Sequence, residues 1–155
     1  MAEPKGPRNI ADIKVYHARE GDRFGRDIWQ LSSQTRGDRI GMAVEELPPG
    51  KQACPAHYHM DEEEHVVILE GELTLFLGEA RYTMRKDDHA KFPAGQEVPH
   101  SLINETETVC RYLVLSDVTD LDVIVYTDSQ KIFVRATDKF YDNSKNFEYW
   151  DREQT

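Results

Sequence analysis

Cysteine is nearly absent from this 155-residue chain. Two residues, Cys54 and Cys110, cannot build the disulfide framework of a small secreted domain, so both are read as reduced thiols. Positive charge is also short. Nineteen Lys and Arg stand against 29 Asp and Glu, a net charge of −10 that repels nucleic-acid backbones and anionic membrane surfaces. No apolar run approaches the ~20 residues needed to span a bilayer. The first twelve residues lack the apolar centre of a signal peptide, so the expected compartment is the cytoplasm. Helical periodicity is missing over any useful length, which leaves strands as the building material. The length suits one core and not two, and a hydrophobic content of 39% is enough to fill it.

What is present is a succession of short β-branched and aromatic runs separated by turn residues. Candidate strands cover 40–47, 53–59, 64–69, 72–77, 81–85, 89–92, 101–104, 109–115, 123–126 and 131–135. Pro48-Pro49-Gly50, Glu70-Gly71, Gly78-Glu79, Lys86-Asp87-Asp88 and Pro93-Ala94-Gly95 punctuate them with residues that accept turn dihedrals. This is the pattern of an antiparallel sandwich or barrel. Residues 1–12 read as an extended arm, 13–136 as the barrel, and 137–155 as an aromatic-rich segment that packs on it through residues such as Phe140, Phe147 and Trp150.

The chemistry concentrates around His57-Tyr58-His59. Side chains two apart on a strand share a face, so both imidazoles reach one ion, which a helix with its three- or four-residue spacing would not allow. Glu64 opens the next apolar run and brings a carboxylate oxygen, and His100, beyond the Pro-Ala-Gly turn, supplies a fourth ligand. Glu62 and Glu63 compete with Glu64 for the carboxylate role. Cys54, three residues before His57, falls on the opposite strand face and is read as structural. His65, His89 and His17 are read as surface or packing residues.

At these residues the chain resembles the cupin superfamily, in particular its small single-domain members. Gly50, His57, His59, Glu64 and Gly71 match the first motif of that superfamily, and Pro93, Gly95, His100 and Asn104 match the second. Asp87 stands where the second motif has a turn glycine, and four residues rather than two separate Gly95 from His100. The resemblance implies an all-β fold, a double-stranded β-helix with the four ligands inside the barrel, and a homodimer.

Three nitrogens and a carboxylate oxygen suit one divalent transition metal: Fe, Mn, Zn, Ni or Cu, with Fe or Mn ahead. In octahedral geometry they leave two positions open. That favours a metal-dependent enzyme acting on a small organic molecule, dioxygenase chemistry being the most concrete form. An isomerase or decarboxylase on the same metal, a non-catalytic binder of a sugar or carboxylate, and a structural protein are the alternatives. No catalytic acid or base is identified. Tyr112, Tyr82, Gln96 and Glu97 are polar groups that could face the cavity, and Val66, Ile68, Leu102 and Phe92 are expected to line much of it. A cavity so apolar would favour a small organic ligand over a polyanion.

Overall fold

The computed structural model describes residues 6–32 and 38–154, so the first five residues of the arm and the last residue of the C-terminal segment lie outside it. Thirteen strands follow one another among the described residues: β1 Tyr16–Glu20, β2 Phe24–Gln30, β3 Ile40–Leu47, β4 His57–His59, β5 Glu64–Glu70, β6 Glu72–Leu77 and β7 Ala80–Arg85, then β8 His89–Phe92, β9 His100–Ile103, β10 Cys110–Asp117, β11 Val123–Tyr126, β12 Lys131–Val134 and β13 Lys139–Asp142. They form two antiparallel sheets. One has the order β1-β2-β3-β10-β5-β8, and the other β13-β12-β11-β4-β9-β6-β7. Consecutive strands repeatedly cross between the two, which is the double-stranded β-helix.

Alternation builds the core. Val66 and Ile68 of β5 and Cys110 and Tyr112 of β10 each lie two apart and turn the same way, and all four are buried with Leu47 and Leu73. Turn geometry fixes the register. Gly71 joins β5 to β6 at φ +81°, where an added Cβ would sit 2.8 Å from the carbonyl oxygen of Val109, so a side chain meets both strain and a clash. Asp87, standing in for the turn glycine, itself takes a left-handed φ of 73°. Its neighbour Asp88 accepts the Arg85 amide and helps to close that turn.

Three strands were not foreseen. β1 and β2 form a hairpin around Gly21, and their mixed polar sequences conceal it because one face of this edge pair is exposed. β13 pairs with β12 and brings Phe140 within 4.9 Å of Phe133 and 6.1 Å of Tyr126, centroid to centroid. Phe147, Tyr149 and Trp150, further along, are exposed. Residues 53–56, expected as the start of a strand, are irregular instead. Pro55 offers no amide for a ladder, and strand pairing begins only at His57.

Candidate metal centre

β4 carries His57 and His59 on one face, and β9 sets His100 directly opposite His57 in the antiparallel register. The longer loop after Gly95 therefore leaves His100 beside the pair. That loop is tied down by the Gly95 amide, which donates to the His59 carbonyl at 2.9 Å. The His100 ring lies flat on Phe92, with centroids 3.7 Å apart. Glu64 enters from β5, in the opposite sheet.

The three imidazoles converge on one oxygen. Glu64 Oε2 lies 3.1 Å from His100 Nε2, 3.6 Å from His59 Nε2 and 4.0 Å from His57 Nε2. His57, His59 and Glu64 offer atoms that all lie within 4.8 Å of one another. The remaining ring nitrogens of the β4 pair are committed elsewhere. His57 Nδ1 donates to the Pro55 carbonyl at 2.8 Å and His59 Nδ1 to Asp122 Oδ2 at 2.7 Å. Both acceptors can only accept, so both rings carry their proton on Nδ1 and turn the lone pair of Nε2 inward. This donor set fits a divalent transition ion, with a carboxylate orienting one ligand histidine.

Electrostatics prepare Glu64 and His100 for an ion, whereas His57 takes up a second proton in the metal-free protein that an ion would have to displace. Burial alone would raise the Glu64 pKa, but His100, His57 and His59 outweigh it and hold the carboxyl down at about 2, so Glu64 is charged at neutral pH. Burial lowers the pKa of His100, with His57 and His59 adding to the effect against Glu64, which keeps its ring neutral. At His57 burial pulls the other way from Cys54, Glu64 and the Pro55 carbonyl, which together carry it up to about 9 in the metal-free protein.

The competing carboxylates have other partners. Glu62 is buried and pairs with Arg135 at 2.8 Å, while Glu63 is held on the surface by Lys91 at 2.7 Å and by His65 at 2.9 Å. His65 also meets His89 at 2.8 Å, and His17 meets Asp27. None of these three histidines lines the cavity. Cys54 requires a correction. Because residues 53–56 do not continue the strand, the opposite-face expectation fails: the Cys54 sulfur turns into the cavity, 3.7 Å from His57 Nδ1.

The cavity above these residues has a volume of about 390 Å³, within the range of small-molecule sites. Val66, Leu102 and Tyr112 line it; Ile68, Phe92, Tyr82, Gln96 and Glu97 do not. It is also far more polar than expected, because Arg26, Glu45, Glu62 and Arg135 share its wall. Glu45 accepts a hydrogen bond from the Tyr112 hydroxyl at 2.7 Å and lies 3.3 Å from Arg26 Nε. Sequence reasoning missed Asp122, Glu45, Arg26 and Arg135. For Glu45 a signal existed: two adjacent glutamates on one strand, Glu45 and Glu46, point to opposite faces, so one of them had to turn inward.

Residues 43–116 match the cupin domain family. The chain is similar to the quercetin 2,3-dioxygenase of Bacillus subtilis (strain 168), with 36% identity over 85 residues that cover 53% of this chain and 25% of that enzyme. It thus spans about a quarter of that relative's length. Among solved structures it is similar to a sugar phosphate isomerase of the cupin superfamily from Silicibacter pomeroyi DSS-3, with a TM-score of 0.72, 26% identity and coverage of 81% of this chain and 85% of that one. A candidate sugar phosphate isomerase from Acidithiobacillus ferrooxidans matches with a TM-score of 0.72, 25% identity and coverage of 88% and 84%.

Proposed function

From the premise that the chain belongs to the cupin superfamily, we propose that it is a metal-dependent enzyme acting on a small organic molecule in the barrel cavity. His57, His59, Glu64 and His100 hold one divalent transition ion, with Fe or Mn ahead of Zn, Ni and Cu. The observation that carries this reading is the convergence of three Nε2 atoms on Glu64 Oε2, two of them with their tautomer fixed from behind. When bound, such an ion supplies positive charge and open coordination positions to oxygen atoms of the substrate. The chain's own part is to orient and exclude. Asp122 and the Pro55 carbonyl lock two imidazoles, and Phe92 braces the third. Phe133 and Phe140 add apolar wall to the cavity.

The similarity to the Bacillus subtilis dioxygenase supports an oxygen-dependent reaction. A second reading, isomerisation without oxygen, is supported by the match along most of both chains to the Silicibacter pomeroyi protein and by the buried Glu45 on the cavity wall. Turnover of candidate substrates by Fe- and Mn-loaded protein, with and without dioxygen, separates the two. Tight binding with no turnover under either condition would favour a non-catalytic metabolite-binding protein. We further propose that the protein works in the cytoplasm as a homodimer, which light scattering of purified protein tests.

A further inference from the structure

Glu45, Tyr112 and Arg26 form an ionisable cluster in the cavity wall that the metal centre does not use. Glu45 on β3 is 8% exposed and stands directly across the sheet from Tyr112 on β10. The Tyr112 hydroxyl donates to Glu45 Oε2 at 2.7 Å, and Arg26 Nε, on β2, lies 3.3 Å from the same oxygen. Both of these contacts are made to Oε2. Arg26 is itself anchored, since Nη1 donates to the Ala53 carbonyl at 2.7 Å, and its buried Nε makes no hydrogen bond among the described residues. A carboxylate buried this deeply is costly unless it has a task or full compensation.

We propose that Glu45 is the proton-transfer residue of this cavity, acting through Oε1 on an uncharged α-hydroxy ketone or α-hydroxy aldehyde, while Tyr112 and Arg26 position its carboxyl group. The proposal rests on the reading of the cavity as a metal-dependent active site. The step balances without an oxidant. Glu45 removes a proton from the carbon that bears the hydroxyl, and the C–H electron pair forms a C=C bond as the carbonyl π pair moves onto its oxygen. Return of the proton to the former carbonyl carbon, with transfer of the hydroxyl proton to the other oxygen, exchanges the positions of hydroxyl and carbonyl.

Two features select the substrate class. Adjacent oxygens on neighbouring carbons would suit the positions left open on a six-coordinate ion held by His57, His59, Glu64 and His100. Both arginines that line the cavity are already neutralised, Arg26 by Glu45 and Arg135 by Glu62 and Asp122, so neither offers a phosphate an unpaired guanidinium. The groups that face Glu45 set its pKa. Burial raises it, Arg26 and the Tyr112 hydroxyl lower it, and the charge of Glu64 on β5 raises it again, with a net shift upward toward the working range of a general acid–base group.

The test uses Mn-loaded protein, its metal content verified, with dihydroxyacetone in D₂O and carbon-bound hydrogen exchange followed by NMR. Glu45→Gln, which keeps an acceptor for Tyr112, is expected to retain the metal and lose at least ~100-fold in exchange rate. Tyr112→Phe removes a hydrogen bond that stabilises the charged carboxylate, so the acid limb of the pH profile should move to higher pH, which a merely structural role would not produce. An independent readout is calorimetric binding of glycolohydroxamate in buffers of different ionisation enthalpy. Wild type should take up the proton that the hydroxamate loses, whereas Glu45→Gln should release it to the buffer. Exchange and proton release unchanged by Glu45→Gln would overturn the role of Glu45 and leave the metal reading standing. Metal-loaded wild type that neither exchanges the probe nor retains the proton would overturn it too. Faster exchange of dihydroxyacetone phosphate than of dihydroxyacetone would overturn the uncharged substrate class. Failure of wild type to hold any metal would instead remove the reading beneath the proposal.

Discussion

Asp122 does not touch the ion in this account, yet replacing it should weaken the ion's hold. It is fully buried, with Oδ2 accepting from His59 Nδ1 at 2.7 Å and Oδ1 accepting from the amides of Asp61 and Glu62 at 3.1 and 3.3 Å. In Asp122→Asn only one oxygen remains. If it stays on the two amides, the new NH₂ faces His59 and forces Nδ1 to accept, which puts the proton on Nε2 and removes the lone pair aimed at the centre. If it turns to His59, the NH₂ meets two backbone donors. The carboxylate behind a ligand histidine is typically worth 10- to 100-fold in metal affinity, or roughly 1.5 to 3 kcal/mol. The metal-free protein should lose about 1.5–3 kcal/mol as well, because a charge-assisted bond is removed and Arg135, 3.6 Å from Oδ2, loses part of its neutralisation. Competition against a chromophoric chelator measures the first effect, and urea denaturation of metal-free protein the second. Wild-type affinity for Mn and Fe in a folded Asp122→Asn protein would refute the argument that the tautomer of His59 is set from behind.

Further outcomes follow from other parts of the structure. Glu64 is held at about 2, below its ordinary carboxylate value. Its folded pKa is depressed, so its contribution to stability is fully present above about 4.5 and is lost as pH falls through about 2. The thermal midpoint of metal-free wild type should therefore fall over that interval more steeply than that of Glu64→Gln. Gly71→Ala should cost well over ~1 kcal/mol because strain and a 2.8 Å backbone clash coincide. Gly50→Ala, also at positive φ but with nothing within 4 Å, should cost only about 1 kcal/mol; equal losses in urea denaturation would contradict the difference. Leu73→Ala, at a fully buried site, should cost about 2–5 kcal/mol by the same assay.

The strands that were legible in the sequence are those whose alternation and turns agree. Residues 40–47, 72–77 and 123–126 stand where expected, because both ends of each are marked by turn residues or by a change in hydropathy. β1 and β13 are edge strands and β2 lies next to an edge, and their exposure erases the alternation, so they are defined by hairpin pairing with a neighbouring strand and not by a hydrophobic pattern. At the candidate centre, His57 and His59 were readable because a two-residue spacing is a local property of a strand. Asp122 was not, because its link to His59 spans 63 residues and depends on how the loop before β11 folds back. Arg26 was hidden for the same reason, and the inward face of Cys54 was misread because the effect of Pro55 on the strand start was overlooked.

The most direct test is the metal content of protein purified without a chelating tag, measured by elemental analysis beside His57→Ala and His100→Ala. Wild type should hold a stoichiometric divalent transition ion, Fe or Mn, and both variants only background levels while their folds persist. Wild-type protein that holds no metal after reconstitution, or variants that retain it fully, would contradict the assignment of these residues.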